Sequence, residues 1–310
     1  VLPSGETISL ERGQMVASAY TFSFQTDQGT KYEFMIPQLN MPDTKNAAGY
    51  HCRANMDLMD LFIGSEGTVG IITDLKLKLL PLIENILSCV MFFHSEQDAL
   101  NFIDEARTAS KAASSQKEIT ISARGLEFFD KFTLNFLRPE YPAIPENTCG
   151  VWFEQELTKN EDELTKSWLK LIQKHHADAQ ISWLAIGKRE QDKFKDFRHA
   201  ISCKVNDYVA GRGLRKVGTD IAVPVASFRS FYQWMIDFVK RNNMESVVYG
   251  HFGDCHIHLN MLPRDEDDFI KANKMYAEIC RETVQRKGTV SAEHGIGKMK
   301  RDYLLIMYGE

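Results

Sequence analysis

Glu245-Ser246-Val247-Val248-Tyr249-Gly250-His251-Phe252-Gly253-Asp254-Cys255-His256-Ile257-His258-Leu259-Asn260-Met261-Leu262 reads as two β-strands, 245–250 and 255–262, separated only by a Gly-Asp turn. Strands that follow each other so closely pair antiparallel, because a parallel partner needs a long crossover. Side chains alternate along a strand, so His256, His258 and Asn260 fall on one face, and His251 can fold back over the turn toward them. Neutral imidazoles joined by a carboxylate make a site for Zn²⁺ or a similar transition metal. The competing reading is a set of packed or surface histidines.

Outward from this stretch the pattern alternates. A strand over 217–223 and a helix over 225–241 precede it, and a helix over 266–287 follows. An earlier round reads as strand 86–93, helix 95–113, strand 149–157, helix 160–176, strand 180–186 and helix 189–210. Two such rounds predict an α+β fold, a mostly antiparallel sheet covered by helices. The first 80 residues are richer in β-branched and aromatic residues, with turn signals at Pro3-Ser4-Gly5, Asp27-Gln28-Gly29 and Met41-Pro42-Asp43. They predict a hairpin of strands 14–25 and 31–37, a loop over 42–55, a short helix over 56–61 and a strand over 69–79. Pro81 marks the boundary, giving domains 1–82 and 83–310.

With 25% charged residues, a net charge of -5 and a mean hydropathy of -0.30, the chain has the composition of an ordinary globular protein. There is no broad basic field for nucleic acid and no apolar run of transmembrane length. The six cysteines are scattered without CxxC pairs, which fits a reducing compartment, and a cytoplasmic location is expected.

Three further segments carry chemistry. Gly64-Ser65-Glu66-Gly67-Thr68-Val69-Gly70-Ile71-Ile72 places glycines where a backbone can approach a cofactor closely, or where a plain glycine turn with a bulge would need them. Ser291-Ala292-Glu293-His294-Gly295-Ile296-Gly297 offers Glu293 as a metal ligand and His294 as a base. Arg198 and Ser202, four apart on a helix, suit a carboxylate, although a solvated helix face would look the same.

Together with Thr44-Lys45-Asn46-Ala47-Ala48-Gly49-Tyr50 and Lys298-Met299-Lys300-Arg301-Asp302-Tyr303-Leu304, these strings resemble the FAD-linked oxidases of the vanillyl-alcohol oxidase superfamily, in the branch of D-lactate, D-2-hydroxyglutarate and glycolate dehydrogenases. The resemblance implies the later part of a VAO-type FAD-binding domain followed by a ferredoxin-like antiparallel substrate domain covered by helices. It implies FAD contacts from Gly64 to Ile72 and a divalent metal, Zn²⁺ first with Mn²⁺ or Fe²⁺ as alternates, on His251, His258 and Glu293. Asn260 and the base His294 would face the substrate, and Arg198 with Ser202 would grip its carboxylate. The family's substrate lysine matches Gly218, so Lys216 is expected to take its place. The family has Gly-Asn where Cys255 and His256 stand, and His256 is expected at substrate or flavin rather than metal. The glycine-rich pyrophosphate loop and the closing Asn-Pro-Gly-Lys of the family do not occur in these residues, so the chain is expected to be a piece of a longer protein and to hold little FAD alone.

The implied activity is metal-assisted oxidation of a small D-2-hydroxy acid by hydride transfer to FAD, with an electron acceptor outside the chain. A homodimer and a larger flavoenzyme complex both remain open as assemblies. The alternatives are a non-catalytic metal-binding subunit of a flavoenzyme complex and a metal-dependent hydrolase.

Overall fold

A computed structural model describes residues 1–83, 85–113, 121–157, 161–186 and 188–309. In chain order its elements are β1 (Thr21–Gln25), β2 (Lys31–Met35), α1 (Leu58–Phe62), β3 (Ile86–Phe93), α2 (Glu96–Ala113), β4 (Ala123–Phe129), α3 (Lys131–Leu137), β5 (Cys149–Glu156), α4 (Glu161–Lys174) and β6 (Trp183–Ile186). There follow α5 (Lys188–Ala210), β7 (Val217–Gly218), β8 (Ile221–Ala222), α6 (Val225–Arg241), β9 (Ser246–Gly250), β10 (His256–Met261), α7 (Glu266–Gln285) and α8 (Arg301–Tyr308). The chain packs as two compact units, one of Val1–Leu80, Ile221–Pro224 and Cys280–Glu310, the other of Pro81–Asp220 and Val225–Ile279. No described helix is long and apolar enough to cross a membrane.

In the first unit β1 and β2 form the hairpin expected from Asp27-Gln28-Gly29, in the register Thr21↔Met35, with Gly29 at φ +94° supplying the left-handed turn. Phe22, Ile36, Cys52, Met56 and Leu58 make its core. Asp57 caps α1 by accepting from the Met59 N–H at 2.9 Å, and it also accepts from the Gly13 N–H at 2.5 Å. The expected division at 82 therefore differs from the compact units at two places, 221–224 and 280–310. Both have a visible cause: Thr289 bridges to Ala222, Ala47 N–H donates to Ser291 O at 2.9 Å, and Thr289 Oγ1 donates to Asn46 Oδ1 at 2.5 Å.

Two expected strands of the first unit change. The first is only 21–25 in place of 14–25, and 69–79 forms no strand. Its alternating Leu75, Leu77 and Leu79 lie exposed, and among the described residues no strand pairs with it, which leaves its backbone groups without a ladder.

The second unit holds the antiparallel sheet in the order β6-β3-β5-β4-β9-β10-β7. Its first round, β3-α2-β4-α3-β5-α4-β6, has the spatial order β6-β3-β5-β4, which is the ferredoxin-like arrangement with α3 inserted between β4 and β5. α2 covers one face through Phe102, whose ring meets Phe93 and Phe153, and Phe153 stacks on Trp168 of α4 with centroids 4.0 Å apart. α5 covers the other face. Its buried Phe194, Phe197, Ile201, Val205 and Val209 recur at helical spacing against Val90, Phe92, Phe129 and Trp152. That stripe sets Arg198 and Ser202 one position round the helix.

β4 and α3 were not legible in the sequence. Ala123-Arg124-Gly125-Leu126-Glu127 lacks clean alternation, and its Gly125 is required by packing, since a Cβ there would stand 2.9 Å from the Trp152 ring. Residue 160, the expected start of α4, lies outside the described residues. The expected strand 217–223 is replaced by two short pieces, β7 and β8, with Thr219 and Asp220 between them.

Asp130 ends β4 and caps α3, accepting from the Thr133 N–H at 2.7 Å in full burial. Burial raises its pKa to about 7, against the lowering hydrogen bonds from Thr133 and Val248. A carboxyl raised in the fold favours folding at low pH and loses that contribution as pH rises through the folded value. Asp130→Asn keeps the cap acceptor without the charge. Its Tm relative to the unsubstituted protein is expected to be higher near pH 8.5 than near pH 5.5, by roughly 2–4 °C for each kcal/mol relieved. Thermal melts at the two pH values check this, and a pH-independent difference would contradict it.

Candidate metal and substrate site

Gly250 ends β9 at φ +148°, and a Cβ there would lie 2.9 Å from His256 O. Glycine therefore lets the chain turn tightly against β10. The turn Phe252–Asp254 closes with Cys255 in the left-handed conformation, and Cys255 and Phe252 are buried. These constraints bring His251, His256 and His258 together. One ring nitrogen of each lies within 4.8 Å of the others, and ring centroids are 4.3–5.5 Å apart.

The imidazoles differ in their partners. His251 Nδ1 bonds Glu127 Oε1 at 2.9 Å, and His258 Nδ1 meets Thr219 O at 3.1 Å. A carbonyl oxygen only accepts, so His258 carries its proton on Nδ1 and its lone pair on Nε2. Burial, then the neighbouring His256, pushes the His258 pKa down to about 4, so it is neutral at physiological pH, the form a metal takes. His256 is fully buried, and its Nε2 bonds Asp220 Oδ1 at 2.9 Å. The ring nitrogen nearest Asp220 is thus committed to a carboxylate.

Glu127 is the residue that sequence reasoning missed. It is 6% exposed in the central strand β4, and the same oxygen that meets His251 forms an ion pair with Arg198, 2.8 Å from its Nε. Burial opposes its charge, but the His251 hydrogen bond, with His251 and Arg198 as charges, prevails and lowers its pKa. Arg198 also sits over the Trp152 ring, 5.2 Å from its centroid. With Nε held by Glu127 and the plane held by Trp152, the guanidinium keeps its terminal nitrogens for a two-point grip on a carboxylate. The available signal was a glutamate inside the apolar run Leu126-Glu127-Phe128-Phe129. Asp220 gave a similar signal before Ile221-Ala222-Val223.

The other expected substrate residues surround Tyr249, also missed. Its hydroxyl lies 3.3 Å from Ser202 Oγ and 3.3 Å from Lys216 Nζ, and its ring is tilted against His258 with centroids 5.8 Å apart. Asn260 is buried and pairs with Gly218 across β10 and β7. A Cβ at Gly218 would stand 2.8 Å from Asn260 Oδ1, so a side chain at 218 would displace Asn260, while Lys216 reaches Tyr249 from two residues away.

Glu293 and His294 belong to the first unit, both exposed, and Lys45 forms an ion pair with Glu293. In that unit the glycine segment and the Ser291–Gly297 segment meet. Glu66 accepts from the N–H groups of Ile296 and Gly297, each at 2.7 Å, and a Cβ on Gly295 would lie 2.5 Å from Glu66 Oε1. Gly64 and Gly67 have positive φ, Thr68 Oγ1 bonds Ser65 O and Tyr50, and Ile71 and Ile72 are exposed.

Residues 95–310 match the family model of the FAD-linked oxidases, C-terminal domain. The chain is 29% identical over 280 residues to a D-2-hydroxyglutarate dehydrogenase of Stutzerimonas stutzeri, covering 86% of this chain and 55% of that protein. It is 26% identical to a probable mitochondrial D-lactate dehydrogenase of Danio rerio, covering 84% and 49%, and 25% identical to the glycolate oxidase subunit GlcD of Bacillus subtilis, covering 84% and 52%. The chain spans about half the length of the curated relatives it matches. Among solved structures, an alkyldihydroxyacetonephosphate synthase superposes with a TM-score of 0.53 at 15% identity, covering 94% of this chain and 51% of that one, a likeness of fold.

Replacing Glu127 by Gln leaves the shape but removes the charge that orients His251. Loss of such a carboxylate behind a metal-bound histidine is expected to weaken Zn²⁺ binding about 10- to 100-fold. Competition with a chromophoric chelator measures it, and unchanged affinity would remove Glu127 from the site.

Proposed function

Because the chain belongs to the FAD-linked oxidases through their C-terminal domain, we propose that it is the substrate-handling part of a flavin-dependent dehydrogenase that oxidises a small D-2-hydroxy acid to the 2-oxo acid. The observation that carries this reading is Glu127, which ties a histidine of metal-ligand type to an arginine of carboxylate-binding type through a single oxygen. A 2-hydroxy acid carries a carboxylate and a hydroxyl on adjacent carbons, so its recognition calls for these two functions side by side. The relatives' printed names, D-2-hydroxyglutarate, D-lactate and glycolate enzymes, all describe 2-hydroxy acids.

The three imidazoles fit a divalent transition metal by donor type and mutual distance. His251 and His258 would hold it, with Glu293 as the carboxylate implied by family resemblance. FAD, contacted between Gly64 and Ile72, would accept the electrons when bound, and the metal would supply Lewis acidity at the substrate hydroxyl. Arg198 grips the carboxylate, and Glu127 and Trp152 keep the guanidinium from turning away. Tyr249, Ser202 and Lys216 supply donors beside it, and Asn260 lines the buried side of the strand. His294 takes the hydroxyl proton. Asp220 holds the buried His256, which leaves His256 a supporting role against His258.

The full-length protein tests the reading directly: its visible flavin band is expected to bleach anaerobically with a D-2-hydroxy acid and not with the L-enantiomer. No bleaching by any such acid would reject the reading. Arg198→Lys is expected to raise KM and lower kcat/KM about tenfold or more, equivalent to about 1.4 kcal/mol, because an ammonium cannot make the planar two-point contact. Unchanged kinetics would take Arg198 out of the site.

His258→Ala and Glu293→Gln are each expected to lose most of the bound metal by elemental analysis, while His256→Ala retains more of it. Full metal content in His258→Ala would defeat the ligand assignment, and loss in His256→Ala alone would move the site along β10.

A further inference from the structure

The wall that carries Arg198 and His251 continues into a cavity of 510 Å³, lined along β5 by Trp152 and Glu154 and along β4 by Gly125 and Glu127. The register pairs Glu127 with Trp152 and Gly125 with Glu154, so these four residues face one side of the sheet in two successive rows. The first row belongs to the reactive end, since Glu127 holds Arg198 and the guanidinium sits over the Trp152 ring. The second row lies beyond it, and its Gly125 contributes no side chain to cover Glu154.

Trp152 is 4% exposed and Glu154 8%, and among the described residues neither the indole Nε1 nor Glu154 Oε1 has a hydrogen-bond partner. Ser88, which faces Glu154 from β3, is fully buried, and its Oγ has none either. The other charged groups of the cavity are answered inside the protein. Arg107 faces Asp104 at 2.9 Å, Arg124 faces Glu156 at 3.4 Å, Glu127 meets Arg198 and His251, and Lys111 and Asp254 are partnered too. The wall thus leaves open one donor, the indole N–H, and one acceptor, the Glu154 oxygen, on residues two apart along one strand. Buried polar atoms left unpaired cost free energy that a matching ligand recovers.

The chemistry of that ligand follows from the pair. An alkyl chain leaves both groups unmet. An ammonium answers Glu154 but offers the indole N–H no acceptor, and a carboxylate stands against Glu154 as a like charge. A hydroxyl accepts from the indole and donates to the carboxylate. We propose that Trp152 Nε1 and Glu154 form a hydroxyl-reading subsite, so that the preferred substrate is a 2-hydroxy acid whose chain carries at least one further hydroxyl, as in an aldonic acid. This rests on the reading of Arg198 and His251 as the reactive end.

The experiment uses the full-length protein with D-2-hydroxy acids that carry a further hydroxyl at successive positions, each set against the matched acid with hydrogen in its place. At one or more positions the hydroxylated acid is expected to have a kcat/KM about tenfold higher or more, because the analogue leaves both polar groups unpaired. Glu154→Met and Trp152→Phe are each expected to reduce that ratio about tenfold. A ratio taken within each variant cancels any loss common to both acids, including a change at Arg198 when the ring beneath it is altered. An apolar chain in place of a partnerless buried carboxylate is compatible with the fold, so Glu154→Met keeps the test open if the Trp152 variant fails to fold. Calorimetric binding of carboxylic acids that lack the C2 hydroxyl and keep the further one reads the subsite without turnover. Tighter binding than by the unhydroxylated acids, weakened by Glu154→Met, supports it. Equal binding of both series, or a preference unaltered in Glu154→Met, overturns the subsite. A carboxamide or carboxylate tail that outcompetes every hydroxylated tail overturns the choice of hydroxyl. Absence of turnover with every 2-hydroxy acid, alongside selective binding of the hydroxylated series, overturns only the reading of the reactive end.

Discussion

A carboxylate in the middle of an antiparallel sheet is tolerated only where hydrogen-bond donors or cations meet it, and Glu127 is met by the His251 imidazole and the Arg198 guanidinium on one oxygen. The three positions come from three elements, β4, the turn after β9, and α5. Moving any one would leave a buried charge uncompensated, so the network fixes the mutual placement of the strand, the turn and the helix. It also chooses the chemistry, because the imidazole nitrogen facing Glu127 is committed and the guanidinium is left with its terminal nitrogens.

The scaffold supplies the precision that such a network needs. The stripe from Phe194 to Val209 docks α5 on the sheet, and the Trp152 ring beneath Arg198 fits only because residue 125 lacks a side chain. Gly250 has a comparable role at the histidine turn, where a Cβ would strike the backbone of β10. Close packing of this kind leaves few rotamers open, which suits a site whose polar groups must stay aligned.

Polar side chains organise the first unit as well. Glu66, at the centre of the glycine segment, holds the backbone of Ile296 and Gly297, and the small size of residue 295 admits its carboxylate. The two sequence motifs richest in glycine are therefore joined by one acidic side chain, and the loop bearing Glu293 and His294 is anchored by the segment expected to touch FAD. The glycines have two reasons to be there: φ values open to glycine, and space for Glu66.

Periodicity by itself determined much of this protein. Helices α2, α5, α6 and α7, strands β3, β5, β9 and β10 and the antiparallel arrangement were legible because each buries a face whose period shows in the sequence. The histidine cluster was legible too, since alternation along a single strand places His256 and His258 together. The strand expected over 69–79 failed because alternation describes a face and does not supply a neighbour to pair with. β4 was hidden for the opposite reason: its Gly125 and Glu127 obey contacts with Trp152, His251 and Arg198, residues from 25 or more positions away. Only the tertiary structure decided that Glu127 joins metal-type and carboxylate-type groups, that Asp220 commits His256, and that Tyr249 gathers Ser202 and Lys216. A buried polar group's meaning lies in its partner, and a partner far along the chain leaves no period to read.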